Sequence, residues 1–156
     1  MNKYFIWAIF FACTLVAGSS SAVWTINGEW YQSLTQPSFR PPSWLFGPVW
    51  TTLYILMAIA AYRLVTTVES TRKHYAIALW ALQITLNTIW TPVFFGANAL
   101  GVALIYIVVL WAVILALIVV SWRVDRISAI ILIPYLMWVS FATLLNYSFW
   151  QLNPVG

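Results

Sequence analysis

Continuous apolar stretches, each long enough to cross a membrane as a helix, dominate the sequence. A helix rises about 1.5 Å per residue, so about 20 apolar residues span a hydrocarbon core of about 30 Å. Because apolar residues do not alternate with polar ones in these stretches, helices are favoured over strands. We therefore predict an all-α integral membrane bundle of five transmembrane helices in a single domain, 1–156. The predicted spans cover about residues 4–24, 48–67, 75–95, 100–122 and 127–151.

The first stretch has a second interpretation. Lys3, an apolar run and a Gly-Ser-Ser-Ser-Ala segment at 18–22 resemble a cleavable signal peptide. The apolar run through Trp24 is nearly long enough to span a membrane. This length favours a retained first helix.

Positively charged residues collect on one side of the predicted bundle. Six of the seven Lys and Arg lie at the N-terminus, near the end of span two, or in the connections after spans two and four, and only Arg40 lies on the other side. The positive-inside rule then places the N-terminus in the cytoplasm. The first loop and the C-terminus are expected outside.

Composition excludes several classes of protein. Hydrophobic residues make up 63% of the chain and charged residues 6%, whereas soluble domains are about 25% charged. One Cys and one His exclude a disulfide framework and a Cys/His zinc cluster. The dispersed basic residues do not suggest a nucleic-acid partner. Three scattered acids argue against hydrolytic acid–base catalysis.

The first loop, 27–47, is long for a connection between packed helices. Three prolines stiffen it: Pro37, Pro41 and Pro42. It also carries five large aromatic side chains: Trp30, Tyr31, Phe39, Trp44 and Phe46. Two compatible interpretations are open: a plug that caps the bundle, or a lid over a pocket. Pro48 is predicted in the first turn of the second span, where the missing N–H has no cost.

The eleven tryptophans form two populations. Tryptophan commonly sits at the headgroup level of a membrane, which accounts for Trp7, Trp24, Trp122 and Trp150 near span ends and is one interpretation of Trp80. The loop holds Trp30 and Trp44. Trp50, Trp90 and Trp138 lie inside spans, and Trp111 has no assigned role.

Helical spacing of three or four groups the internal tryptophans with amide residues. The predicted faces are Trp50, Tyr54, Met57 and Ala61; Gln83, Asn87, Trp90, Thr91 and Phe94; and Pro134, Trp138, Ala142 and Asn146. Amides at membrane depth should face the interior of the bundle. They either bond helices together or orient a ligand in a ring-lined pocket. Kinks predicted at Pro92 and Pro134 would widen the bundle there.

Several segments, in order along nearly the whole chain, resemble the tryptophan-rich sensory protein family, which is also called the translocator protein or peripheral-type benzodiazepine receptor family. They are Trp30-Tyr31, Pro37-Ser38, Pro41-Pro42, Trp44, Phe46 through Thr51, Leu53-Tyr54, Asn87 through Gly96, Pro134-Tyr135, Trp138, Phe141-Ala142 and Leu145-Asn146. The resemblance implies a bacterial five-helix membrane protein, in the inner or the outer membrane, that commonly forms a homodimer.

The resemblance also implies a pocket under the first loop for tetrapyrroles, such as protoporphyrin IX or haem, and for drug-like ligands. The tetrapyrrole would be a ligand, with no resident cofactor and no metal required. Its matching residues, together with the loop and helix-face residues above, give the candidate binding set Tyr31, Trp44, Phe46, Trp50, Tyr54, Asn87, Trp90, Thr91, Trp138, Phe141, Ala142 and Asn146.

Three functions follow as hypotheses. The first is a tetrapyrrole-binding protein that transports or senses its ligand and regulates tetrapyrrole metabolism. The second is light-driven oxidation of protoporphyrin, with Trp50 and Trp138 as candidates for electron relay. The third is a sterol- or lipid-binding or scaffold protein. No Lys or Arg follows Arg126, so the sterol-recognition pattern of mitochondrial members is absent, although such patterns are weak predictors.

Overall fold

The computed structural model describes Phe10, Ala12, Thr14, Gly18 and residues 28–154. The described part is helical and contains no strand. Its elements are α1 (Glu29–Ser33), α2 (Ser43–Thr66), α3 (Thr71–Thr91), a π-helical turn (Pro92–Gly96), α4 (Leu100–Ser121) and α5 (Arg126–Leu152).

Within the described residues, four helices are long and apolar enough to cross a membrane. They are α2, α3 with its π-helical turn, α4 and α5, and they correspond to the second to fifth predicted spans. The first predicted span, 4–24, lies almost wholly outside the described residues. The total of five spans therefore stays a prediction.

Helix α2 begins earlier than predicted. Its first residue is Ser43, directly after Pro42, so Pro48 lies inside the helix and not in its first turn. Proline lacks the N–H that would bond to the carbonyl four residues earlier, which here is the carbonyl of Trp44. Trp44 is the second residue of α2, so the missing hydrogen bond falls in the first turn. The irregular part of the first loop is correspondingly shorter, and α1 occupies some of it.

The two internal prolines behave differently. Pro92 ends the α-helical geometry of α3, and the chain continues as a π-helical turn in which Ala97 N donates to Pro92 O at 2.9 Å. Asn98 then adopts a positive φ of 54°, which asparagine tolerates better than most residues. Pro134, in contrast, is exposed and lies within continuous α5. The break in helical geometry at Pro92 agrees with the sequence prediction.

Small residues permit close packing of the helices. α5 lies between α2 and α4, and α3 packs against α4 and α2. Hydrocarbon supplies no hydrophobic force between helices, so close van der Waals contact must stabilise the bundle. Fully or almost fully buried alanines occur on four helices: Ala58, Ala60, Ala61, Ala76, Ala103 and Ala129.

Trp80 is a core residue, and the interfacial role considered for it is wrong. Its side chain is only 3% exposed, and its indole N–H donates to the carbonyl of Met57 at 3.0 Å. This bond links α3 to α2. Trp122 and Trp150 are well exposed near helix ends, as the interfacial interpretation predicts. Trp111 on α4 donates to Ser140 Oγ on α5 at 2.7 Å.

An ion pair ties α2 to α5 at the end opposite the first loop. Arg63 Nε and Nη2 donate to the two carboxylate oxygens of Asp125 at 2.8 and 3.0 Å. Asp125 is also the N-cap of α5, because its carboxylate accepts from the backbone N–H of Ser128. Hydrogen bonds from Arg63 and, secondarily, from Ser128 lower the pKa of Asp125 from 3.8 to about 2.

Replacing this carboxylate is expected to destabilise the bundle. Asp125→Ala removes an N-cap, which costs about 1 kcal/mol, and removes a part-exposed ion pair that contributes less. We expect thermal unfolding in detergent to shift down by about 2–4 °C. Asp125→Asn, which keeps a capping side chain, should show a smaller loss. Arg126→Gln is the control, and an unchanged unfolding temperature for Asp125→Ala would contradict the assignment.

The effect of Asp125 should also depend on pH. A carboxylate whose pKa is lowered by folding stabilises the native state at pH values above its unfolded pKa. This contribution is lost as the pH falls through the folded pKa, here about 2. The difference between wild type and Asp125→Ala should therefore stay constant from pH 7 to about pH 5 and then shrink. The same unfolding measurement, repeated across this range, tests it.

Candidate ligand-binding site

The first loop is fastened to the bundle by a buried tyrosine. Tyr31 on α1 is 3% exposed, and its ring centroid lies 5.3 Å from those of Phe95 and Phe149. The Gln36 amide donates to the carbonyl of Tyr31 at 2.9 Å, which fixes the chain after α1. Tyr31 therefore anchors the loop over the π-helical turn and the end of α5, as the plug interpretation expects.

A second fastening joins the loop to the end of α5. The Asn153 side chain accepts from Thr35 N at 2.9 Å and donates to Thr35 O at 3.2 Å. An asparagine that bonds both backbone groups of one residue imitates a strand pairing. The loop is thus held at both α1 and Thr35.

The basic residue of the loop lies against Tyr31. The guanidinium carbon of Arg40 is 5.2 Å from the centre of the Tyr31 ring, within the range of a cation–π contact. Burial raises the pKa of the Tyr31 hydroxyl, and the positive charge of Arg40 opposes that rise. Arg40 Nη2 also donates to Ser43 Oγ at 2.6 Å.

Beneath the loop, four rings from the loop, α2 and α5 form a continuous surface that we term the aromatic wall: Phe39, Phe46, Trp138 and Phe141. Centroid distances are 6.3 Å for Phe39–Phe141, 5.8 Å for Phe46–Trp138 and 5.6 Å for Trp138–Phe141. These separations suit edge-to-face and tilted aromatic contacts. Phe46, Trp138 and Phe141 are half-buried, so each ring keeps some surface for another partner.

Trp50 lies one turn deeper on α2 than the Phe46 ring. Its centroid is 5.5 Å from Tyr54 and 6.4 Å from Tyr135. The indole is half-buried, whereas both tyrosines are buried. Trp50 therefore lies between the aromatic wall and the polar interior of the bundle.

A chain of side-chain hydrogen bonds crosses the interior below Trp50. Tyr54 OH donates to Asn87 Oδ1 at 2.8 Å, Asn87 Nδ2 donates to Tyr135 OH at 3.2 Å, and Tyr135 OH donates to Gln83 Oε1 at 2.9 Å. We call these four residues the amide–tyrosine network. It joins α2, α3 and α5, and it confirms that Gln83 and Asn87 face inward.

A second polar link lies nearer the loop. Trp90 Nε1 donates to Asn146 Oδ1 at 3.2 Å, and Asn146 Nδ2 donates to the carbonyl of Leu100 at 3.0 Å. Leu100 begins α4, and its carbonyl lies in the first turn. Asn146 therefore connects α3, α4 and α5, and the buried Thr91 follows Trp90 at the end of α3.

The structure brings most of the predicted binding residues into two adjoining groups. Phe46, Trp50, Tyr54, Asn87, Trp138 and Phe141 gather along α2, α3 and α5. The half-buried Ala142 packs against the core that contains Tyr54, whereas Phe46 and Phe141 also pack against the core that contains Tyr31. Tyr31, Trp90 and Asn146 form the second group, which Phe94 connects through ring contacts. Trp44 is 72% exposed and joins neither group.

Sequence reasoning missed the central position of Tyr135. The predicted face of α5 began at Pro134, which is exposed, whereas Tyr135 is fully buried and bonds to two amides. The signal was present in the sequence. Positions 128, 132, 135, 139, 146 and 149 recur at helical spacing and are all buried.

The chemistry available at this site is that of rings, hydroxyls and amides. The rings of the aromatic wall lie at 41–75° to one another and offer apolar surface, and the amide–tyrosine network lies next to Trp50. Among the described residues, no group of three His, Cys, Asp or Glu could hold a metal ion. His74 lies in the first turn of α3, about 25 Å along the helix from Thr91. The arrangement suits a flat, largely apolar ligand.

Comparison with known proteins agrees with these features. The sequence pattern of the TspO/MBR family matches residues 4–151. Protein CrtK of Rhodobacter capsulatus is 42% identical over 150 residues, which cover 96% of this chain and 93% of that protein. The tryptophan-rich sensory protein of Cereibacter sphaeroides is 36% identical, with coverages of 94% and 92%. The translocator protein of Homo sapiens is 36% identical, with coverages of 82% and 79%. The chain belongs to the TspO/MBR family of membrane proteins.

Proposed function

We propose that this membrane protein binds a tetrapyrrole, such as protoporphyrin IX or haem, and takes part in its transport or sensing. The observation that carries the proposal is the aromatic wall, which lies directly above Trp50 and the amide–tyrosine network. The name of the Cereibacter sphaeroides relative, tryptophan-rich sensory protein, supports sensing. A homodimer and binding of drug-like ligands are further expectations from the family resemblance.

Contact with the aromatic wall and with Trp50 would contribute to the affinity. A porphyrin is flat and aromatic, and each aromatic pair contributes about 0.5–1.5 kcal/mol beyond the burial of its area. Trp50 and Trp138 present the largest half-buried rings along α2 and α5. Both lie close to groups that can hydrogen-bond, so a ligand there would be oriented as well as stacked.

The position of His74 favours a metal-free porphyrin, or haem without histidine ligation. His74 is the only histidine in the chain. It lies at the end of α3 remote from the loop, where it pairs with Glu69 at 3.1 Å. An imidazole at that distance could not ligate an iron seated on the aromatic wall.

Ligand access requires movement of the first loop. The contacts of Tyr31 and Asn153 hold the loop against the bundle on this face, which supports the plug interpretation. The first loop would then act as a plug when it is packed on the bundle and as a lid when it moves away. A ligand that binds beneath the loop would shift the balance between them, which is how binding could be sensed.

Removing either large ring should weaken porphyrin binding. We expect Trp50→Leu and Trp138→Leu each to raise the dissociation constant for protoporphyrin IX by about two- to ten-fold, because one stacking partner is lost. The change in the absorbance of the porphyrin itself should be titrated, since each substitution also removes a fluorophore. Trp122→Leu, at the remote end of α4, is the matched control.

Two results would contradict this site. One is an unchanged dissociation constant in a folded Trp50→Leu/Trp138→Leu double variant. The other is the absence of saturable porphyrin binding by the wild type in lipid nanodiscs, which would favour a scaffold or a sterol- or lipid-binding role. Thermal unfolding of each variant shows whether it is folded.

Illumination of the bound porphyrin tests light-driven oxidation as a second function. The contacts of Trp50 with Tyr54 and Tyr135 favour it, because adjacent oxidisable rings could pass an electron. If the protein catalyses oxidation by dioxygen, the porphyrin spectrum should disappear faster than in detergent alone and yield a defined product. Trp50→Phe and Trp138→Phe should then slow the loss without abolishing binding. Bleaching at the rate of the free porphyrin would identify a binder only.

A further inference from the structure

Arg40 is an isolated cation at the loop side of the bundle. The only Asp and Glu residues in the chain are Glu29, Glu69 and Asp125. Every ion pair in the described part of the chain lies at the other end, formed by Arg63, Lys73 or His74 with Asp125 or Glu69. Arg40 therefore carries a charge for which the described part of the chain provides no carboxylate partner.

The guanidinium of Arg40 is oriented but not saturated with hydrogen bonds. Ser43 Oγ accepts from Nη2 at 2.6 Å, and the Tyr31 ring supports one face. The Nε atom is buried without a hydrogen-bond partner. A buried donor without a partner is unfavourable. An anion held end-on through Nη1 and Nη2 would offset the charge in the geometry that arginine uses for carboxylates.

The position of Arg40 relates it to the proposed ligand site. Its partner Ser43 begins α2, and Ser43, Phe46 and Trp50 recur at spacings of three and four, so they share one face of the helix. Seven residues separate Ser43 from Trp50, which corresponds to about 10 Å along the axis. Phe39, the neighbour of Arg40 in sequence, contacts Phe141 of the aromatic wall. Arg40 thus lies at the loop-side end of the ring-lined face.

We infer that Arg40 is a specificity-determining residue that selects flat aromatic ligands bearing a carboxylate, with the carboxylate bound by its guanidinium and the rings lying on the aromatic wall. This inference rests on the proposed tetrapyrrole function, whose ligands carry propionate side chains that are ionised at neutral pH. A hydrophobic face alone would bind an esterified porphyrin as well as the free acid. The arginine makes the difference between them.

The test compares protoporphyrin IX with its dimethyl ester on wild type, Arg40→Gln and Arg40→Lys in the same nanodiscs. We expect Arg40→Gln to raise the dissociation constant of the free acid about ten-fold or more and to leave that of the ester unchanged. Arg40→Lys, which keeps the charge but not the fork of donors, should fall between. Taking the ratio of the two ligands within each protein removes differences in their partition into lipid.

Arg72→Gln, an exposed arginine at the remote end of the bundle, is the matched control and should change neither constant. Equal weakening of both ligands by Arg40→Gln would show that Arg40 only holds the loop, and would overturn the inference. An unchanged free-acid constant would overturn it as well, since water would then be the partner of the guanidinium. If wild type binds neither ligand saturably, the proposed function fails and not the role of Arg40 alone.

Discussion

Hydrogen bonds between buried side chains are the constraint on which this bundle depends. In hydrocarbon, apolar side chains gain nothing by leaving lipid for one another, so packing and polar contacts decide which helices meet. Asn87 uses both its oxygen and its nitrogen on tyrosines from two other helices. Those bonds set the registers of α2 and α5 against α3. The same registers bring Phe46 and Trp138 together, so the aromatic wall is a consequence of the network beneath it.

The residues that stabilise the bundle therefore overlap with the proposed binding site. Tyr135 is a hub of the amide–tyrosine network and also a ring neighbour of Trp50. Asn146 joins three helices and also fixes the indole of Trp90. The amide side chains could bond helices together and also orient a ligand, because these two roles do not exclude each other in this arrangement. Hydrogen bonds can thus hold the interior of the bundle rigid, while the rings nearer the first loop remain free to adjust.

The parts of the fold that the sequence predicts are those determined by the contrast between apolar membrane spans and polar connections. The predicted bounds of α4 and α5 agree with the structure to within one residue at each end, because charged or turn residues bound their apolar runs. Helix α2 begins five residues before the predicted start at Pro48, because the residue that directly precedes the helix is Pro42. Hydropathy also cannot tell which tryptophan faces another helix. The burial of Trp80 and Tyr135 could not be predicted without the neighbouring helices. Trp80 bonds to Met57, and Tyr135 bonds to Gln83 and Asn87.

The bonds between Asn153 and Thr35 couple two segments that lie 118 residues apart in sequence. Any displacement of the first loop must break them or pull on the last turn of α5. The C-terminal end of the bundle and the loop over the proposed site are thus thermodynamically linked, and such linkage is reciprocal. A protein or lipid that binds the end of α5 would alter how readily the loop moves away from the proposed site, without contacting the proposed ligand. The hydrogen bonds between Asn153 and Thr35 would therefore allow the proposed site to be regulated from the C-terminal end of α5.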